Sequence, residues 1–336
     1  MKKSKKKVLF VVLLFLMIIA ASISIILIQQ KTSSNDSLSS GEISIDEEIQ
    51  GQTEANEVTK QEEPTATTGI EQEESITVIE PNQEESMETT DPVIAEKIEK
   101  LTELASAIGF EDRETIELLA SLPELAEFSE SVNGVQEYPT LTYIGHASVK
   151  LKTLEGDVIY IDPYYDGDYS EPADYILVTH GHSDHYNLNK CTQAENCKVI
   201  LWSDALIDGE YKTFEFDNLT IEAVPSGDNR NHLLKDNVGF IITMDGVNVY
   251  HAGDTSMNEG KDVIKEKIID YAMYPIDGVY NMDSEEATQV ADLIGATHNI
   301  PIHGYENEYL EQAIEFSPKG KLIVMLGQTI DLKAGE

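Results

Sequence analysis

Basic residues are scarce in this chain. It carries 23 Lys and Arg against 62 Asp and Glu, for a formal net charge of -39. A chain so acidic lacks the broad positive footprint that a phosphate backbone requires, which argues against nucleic acid as a partner. A small anionic substrate is not excluded, because a metal site can locally oppose the global field. Much of the imbalance is confined to one stretch, since Lys60 is the only basic residue between Asp36 and Asp91. Cysteine is equally sparse, with only Cys191 and Cys197. No cysteine lies near the N-terminal apolar run, so a lipid anchor there is not expected. Outside the cell the two cysteines could pair, closing a short loop for on the order of 2–3 kcal/mol, or stand as two thiols. No internal repeat is visible.

What is present starts with a basic head, Lys2, Lys3, Lys5, Lys6 and Lys7, followed by an uncharged run from Val8 to Ile28 broken only by Ser22 and Ser24. About 20 apolar residues span a bilayer as a helix, whereas the apolar core of a cleaved signal is about 7–15 residues long. Residues 1–30 therefore read as a single-pass transmembrane anchor. The rival is cleavage near Ala20-Ala21-Ser22, which would make the protein secreted. Either way the lysines stay on the cytoplasmic side and the rest of the chain lies outside. Residues 31–91 are rich in Glu, Ser, Thr and Gln and poor in aromatics. Such a segment cannot bury enough apolar surface to offset its backbone entropy, and it reads as a disordered acidic linker.

In residues 92–137, Ile94, Ile98, Leu101, Leu104 and Ala105 recur at helical spacing, and Gly109 breaks the run. A second run through Ile116, Leu119 and Leu122 stops at Pro123. This pattern predicts two or three short helices, read as a collar packed on the main domain, with a dimerisation or substrate-cap element as the alternative. From Tyr138 to the C-terminus the pattern changes to short strands. Candidates are Leu141–Leu151, Val158–Asp162, Tyr175–Thr179, Lys198–Trp202, Leu219–Val224, Gly239–Met244, Val247–His251, Tyr271–Pro275, Asn299–Ile302 and Lys321–Leu326. Asp245-Gly246 predicts a tight hairpin. Helices are expected at Gly260–Ile268, Ser284–Ile294 and Glu306–Phe316, with Asp283 and Glu286 as a capping box on the second. Strands that come first and helices that concentrate later suit two packed sheets flanked by helices.

The chemistry concentrates at Thr179-His180-Gly181-His182-Ser183-Asp184-His185, directly after an apolar strand. His180 and His182 can converge on one ion from an extended loop, while Asp184 and His185 continue past it to a second. Imidazoles and a carboxylate suit zinc, with manganese or iron also compatible. Gly181 lets the backbone turn with no side chain in the way.

This motif resembles the signature of the metallo-β-lactamase-fold superfamily. Tyr143-Ile144-Gly145-His146-Ala147-Ser148, Ile161-Asp162-Pro163, Tyr250-His251-Ala252-Gly253-Asp254-Thr255 and Ile300-Pro301-Ile302-His303-Gly304 make it similar to the branch of ascorbate-6-phosphate lactonase and related metal-dependent hydrolases. The resemblance implies an αββα four-layer sandwich over residues 138–336 and two divalent metal ions. By position, and as the only histidine between His185 and His251, His232 would join His180 and His182 on one ion. Asp184, His185 and His303 would hold the other, with Asp254 shared. A hydroxide between the ions would attack a lactone or ester bond of a small-molecule substrate, oriented by Asp184. His146 is a candidate substrate contact, and Asp162 and His251 are candidate supports for the ligands. His298 reads as structural, and Tyr186 and Met282-Asp283 as the cleft rim. Phosphodiester cleavage and a non-catalytic metal-binding surface protein are the alternatives, and a homo-oligomer is compatible with either.

Overall fold

Strand residues that alternate between two apolar faces build most of this fold. The structure is a computed structural model that describes residues 91–107, 112–131, 135–305 and 308–335. The expected anchor and nearly all of the expected linker lie outside the described residues. Among the described residues no helix is long and apolar enough to cross a membrane.

Two helices come first, α1 (Pro92–Ala107) and α2 (Arg113–Ala120). The Asp112 side chain caps α2 by accepting the Thr115 backbone N–H. Then come β1 (Thr140–Gly145), β2 (Ser148–Lys152), β3 (Val158–Ile161), β4 (Ala173–Val178) and β5 (Gln193–Leu201). After a short helix α3 (Trp202–Ala205) follow β6 (Leu206–Ile207), β7 (Glu210–Tyr211), β8 (Thr213–Glu215), β9 (Leu219–Pro225), β10 (Val238–Met244) and β11 (Val247–His251). The chain continues through α4 (Lys261–Ile264), β12 (Tyr271–Pro275), α5 (Ser284–Ile294), β13 (His298–Ile302), α6 (Tyr309–Glu315) and β14 (Thr329–Asp331).

One sheet has the order β14-β1-β2-β3-β4-β5 and the other β13-β12-β11-β10-β9-β8. Leu151, Ile159, Ile161 and Leu177 of the first meet Phe240, Ile242, Val249 and Met273 of the second in one buried core. The intervening residues point outward. Tyr250, Ala272 and Tyr274 pack with Ile264, Val290 and Ala313 of α4, α5 and α6, which cover the second sheet. On the outer face of the first sheet, Tyr160, Ile176 and Val178 are covered by Tyr165, Tyr169, Leu188 and Cys191. Those four come from connections, so the outer layer expected there is built of loops rather than long helices. Burying each of the larger aliphatic and Phe side chains in these layers contributes roughly 1.5–3 kcal/mol.

Several expectations shift. Leu141–Leu151 is two strands, because Gly145 (φ 139°) and His146 (φ 54°) turn the chain back. An isolated glycine in a strand pattern marks such a break. Here a Cβ on Gly145 would stand 2.4 Å from the Tyr165 ring. Lys321–Leu326 makes only single bridges, Lys321 with Asn299 and Ile323 with Leu125, and the last strand is β14 beside β1. Strands β6 to β8 are too short to leave a periodicity in the sequence. The Asp245-Gly246 hairpin forms as expected, with both residues at positive φ. Asp283 caps α5 by accepting the Glu286 N–H, but the Glu286 carboxylate accepts from Met257 N–H instead of closing a box. Cys191 and Cys197 stand as two free thiols in this structure, and burial pushes the Cys191 thiol up to about 12.

Helices α1 and α2 bury Leu101, Ala105, Ile116 and Leu119 together, with Leu310 of α6 and Met325 packed against them. They form a collar on the domain, and part of their apolar face lines a cavity described below.

Lys261 is fully buried and donates to the Thr255 hydroxyl at 2.7 Å. Burial pushes its ammonium down to about 7 from 10.5. The unfolded chain therefore binds this proton more tightly, and the resulting penalty grows as pH falls from about 10 to 7. Lys261→Met is expected to be more stable than the parent at pH 7, by on the order of a few kcal/mol, and the advantage should fade toward pH 10. Urea midpoints at the two pH values measure this; a pH-independent difference would contradict it.

Candidate metal centre

Strands β3 and β4 run parallel, as do β11, β12 and β13. Their C-terminal ends therefore emerge side by side, and each delivers a polar residue. Asp162 follows β3, the His180 loop follows β4, Asp254 follows β11, Asp277 follows β12 and His303 follows β13. The β1–β2 turn adds His146, and the β9–β10 loop adds His232. His146, Asp162 and His303 all have positive φ, at 54°, 47° and 52°. Left-handed backbone at non-glycine residues is costly and tends to gather at functional sites.

The His180 loop is fixed at both ends by Asp162, whose side chain is wholly buried. One carboxylate oxygen accepts the Thr179 backbone N–H at 2.8 Å. The other accepts the Thr179 hydroxyl at 2.7 Å and faces His185 Nδ1 at 2.8 Å. That contact leaves His185 Nε2 turned toward the site. Across the sandwich, Val238 N–H donates to Thr179 O. Two glycines permit the approach. A Cβ on Gly253 (φ 61°) would press on Thr179, and one on Gly181 would strike the Trp202 ring.

All seven expected ligands come together. The nitrogens of His180, His182 and His232 converge within 4.8 Å of one another, as do the ligand atoms of His146, Asp184, His185 and His303. Between the groups lies Asp254, 2% exposed. Its Oδ2 is 3.0 Å from His232 Nε2 and 4.0 Å from His180 Nε2. Its Oδ1 is 3.2 Å from His185 Nε2 and 3.3 Å from His303 Nε2. Nitrogen faces nitrogen at 3.2 Å in both groups, His232 Nε2 with His182 Nδ1 and His185 Nε2 with His303 Nε2. His180 Nε2 and Asp254 Oδ1 are buried without a hydrogen-bond partner. Imidazole nitrogens and carboxylate oxygens converging this closely, with nitrogen facing nitrogen, suit divalent cations.

The electrostatics agree. Burial pushes the His180 imidazole down to about 3, keeping it neutral and able to ligate. Burial works against ionisation of Asp254, yet His185 and His303 hold its carboxyl well below the usual range. Burial likewise opposes protonation of His185, but Asp254 and Asp162 raise it well above its ordinary value, and Asp254 and Asp277 similarly raise His303.

The supporting residues divide. His146 Nε2 lies 3.3 Å from Asp184 Oδ2, and its ring centroid is 3.6 Å from that of His303, so His146 belongs to the cluster itself. His251 stands behind the site. Its Nε2 reaches Ala147 O at 2.9 Å and its Nδ1 accepts Gly253 N–H, which ties the His146 turn to the Asp254 turn. Asn229 Oδ1 accepts the His232 N–H at 2.9 Å and lies 3.2 Å from His232 Nδ1. His298 stacks on Tyr271, in β13. Of the expected rim, Met282 is fully buried and Asp283 caps α5, so those two serve the scaffold, while Tyr186 is exposed and packs on Trp202 beside the smaller cavity described below. Sequence reasoning missed Asp277, whose Oδ2 is 3.3 Å from His303 Nδ1. Its signal was an aspartate just past an apolar strand, the same context as Asp162.

Two cavities open on the site. One of about 380 Å³ is fronted by His182, His232 and Trp202. The other, about 450 Å³, begins at His146, Asp184 and His303 and reaches α1 and α2.

The profile of the β-lactamase superfamily domain matches residues 140–303. A UPF0173 metal-dependent hydrolase of Methanosphaerula palustris is 34% identical over 181 residues, which is 48% of this chain and 82% of that protein. This chain belongs to the metallo-β-lactamase superfamily. It is a metal-dependent hydrolase. A second such hydrolase, from Pyrococcus furiosus, is 29% identical over 222 residues, 58% of this chain and 97% of that one. Among solved structures, a metallo hydrolase of the archaeon Ignicoccus hospitalis is 24% identical with a TM-score of 0.45, covering 58% of this chain and 98% of that one.

Two outcomes are expected of this hydrolase. Asp162→Ala strips the acceptor from Thr179 and His185 and should lower metal affinity about 10–100-fold; unchanged affinity in a chelator competition would contradict the clamp. Because His185 and His303 are raised, they hold protons near neutrality without an ion, so metal loading at pH 7 should release protons and weaken as pH falls. Calorimetry in buffers of differing ionisation enthalpy measures this; heats that do not change with buffer would contradict it.

Proposed function

We infer that this chain hydrolyses a lactone or carboxylic ester with two divalent ions, zinc by the chemistry of the ligands. The observation that carries the reading is Asp254, with one oxygen on His180 and His232 and the other on His185 and His303. His180, His182 and His232 would hold one ion, and Asp184, His185 and His303 the other, with Asp254 between them. Ions bound there would supply a hydroxide nucleophile near neutral pH and polarise the attacked oxygen. The chain's own residues do the rest. Asp162 and Asp277 fix the outward nitrogens of His185 and His303, so their inner nitrogens hold position. His146 holds Asp184 ionised and oriented at the mouth of the larger cavity.

An ester is favoured over a phosphodiester by the larger cavity, whose described lining contains no Lys or Arg to meet added anionic charge. The Lys2–Lys7 head and the apolar run from Val8 to Ile28 support a location outside the membrane, with the domain tethered through its first 30 residues or released by cleavage.

The test is a metal-loaded full chain screened against chromogenic lactones, esters and bis-phosphodiesters. Turnover of the first two classes is expected. Turnover of phosphodiesters alone would move the reading to the alternative, and tight metal binding without any turnover would make this a binding protein. Asp254→Ala should lower metal content and abolish turnover, and retained activity would remove the shared-ligand assignment. His232→Ala should lose about one equivalent of metal per chain, and unchanged stoichiometry would mean another residue supplies that ligand.

A further inference from the structure

The larger cavity has two chemically distinct ends. At its floor are His146, Asp184, Asp277 and His303. Its far wall is aliphatic, formed by Leu101 and Leu104 of α1, Leu119 of α2, and Leu310 and Met325 of the main domain. The polar atoms on that wall are turned aside. The Thr115 hydroxyl donates to the Asp112 carboxylate. Tyr143 Oη donates to His146 O at 3.1 Å, and Tyr309 Oη lies within reach of Pro301 O at 3.0 Å and Val324 O at 3.1 Å. These groups leave ring and methyl carbon facing the cavity. Part of the apolar face of α1 and α2 thus lines this cavity, while the rest packs on Leu310 and Met325. At about 450 Å³ the space is of small-molecule size. A cavity lined this way favours an apolar occupant over water.

We propose that this cavity takes the unbranched aliphatic chain of an acyl ester or acyl lactone, with α1 and α2 as its roof. The proposal rests on the hydrolase reading above for the ester itself, while the tail-binding site stands on the cavity. The acyl carbonyl lies at the floor, beside Asp184 and His303. The chain runs from there to Leu104 and Leu119, and the alcohol portion faces the smaller cavity by His182 and Trp202. One water is consumed. Its oxygen bonds to the acyl carbon and the acyl C–O bond breaks, with the proton going to the alkoxide; an ester gives a carboxylic acid and a free hydroxyl compound, and a lactone opens to a single hydroxy acid. The collar is then part of the binding site, and the main domain without it would lack one wall.

The experiment separates tail binding from turnover by using the carboxylic acid product as probe. Full chain loaded with zinc is titrated with saturated acids from butyrate to decanoate, read by displacement of a dansylated undecanoic acid. Affinity is expected to rise about fourfold per added methylene until the cavity is full. Leu104→Trp on α1 and Met325→Trp on the main domain, which fill the aliphatic end from two different elements, should each flatten the series to less than about twofold per methylene. A decanoate analogue bearing a terminal diazirine should photolabel peptides from 92–107 or 113–120 in the unmodified protein, so this arm stands even if both variants fail to fold. Affinity independent of chain length, or labelling away from both helices, would overturn the proposal. If tail binding holds while no ester or lactone is turned over, the hydrolytic reading fails and the cavity assignment survives.

Discussion

A buried carboxylate between two groups of imidazoles is the constraint on which the rest of this structure depends. Asp254 is shut away from water, and each of its oxygens faces a different pair of histidines. An ionised carboxylate at such depth is costly unless opposed by positive charge. Protonated imidazoles can partly provide that charge, and His185 and His303 are raised for this reason. The convergence of nitrogen on nitrogen in both groups is what the proposed function answers with a cation on each side.

The scaffold keeps that arrangement in place by geometry. Parallel strand ends present Asp162, His180, Asp254, Asp277 and His303 along one rim of the sandwich. Two further carboxylates, Asp162 and Asp277, stand behind His185 and His303 and set which nitrogen points inward. His251 ties the turns that carry His146 and Asp254. The backbone is held left-handed at three of these positions, a cost met by the packing of both sheets.

What could be read from the amino-acid order follows from how local each feature is. The His180–His185 loop is contiguous, so its residue types and spacing announced a metal cluster without any knowledge of the fold. Asp254 and His303 were legible because each follows an apolar strand within a short motif. His232 was legible only by position and elimination, since what places it, the Asn229 turn and the approach to Asp254 across the sandwich, is tertiary. Asp277 carried the same strand-end signal as Asp162 but no motif around it. The β1–β2 turn was missed because strand-like residues continue on both sides of Gly145-His146, so one run was read where the chain doubles back. The role of α1 and α2 was ambiguous for a physical reason. An apolar stripe specifies that a face is covered, and it does not say whether the cover is a core or a cavity.

The most direct measurement is the metal content of the full chain after loading with zinc and removal of excess, quantified per chain by mass spectrometry of the dissolved metal. A carboxylate shared between two complete ligand groups requires close to two equivalents. One equivalent, or none, would contradict a shared Asp254 and with it the hydrolytic centre derived from it.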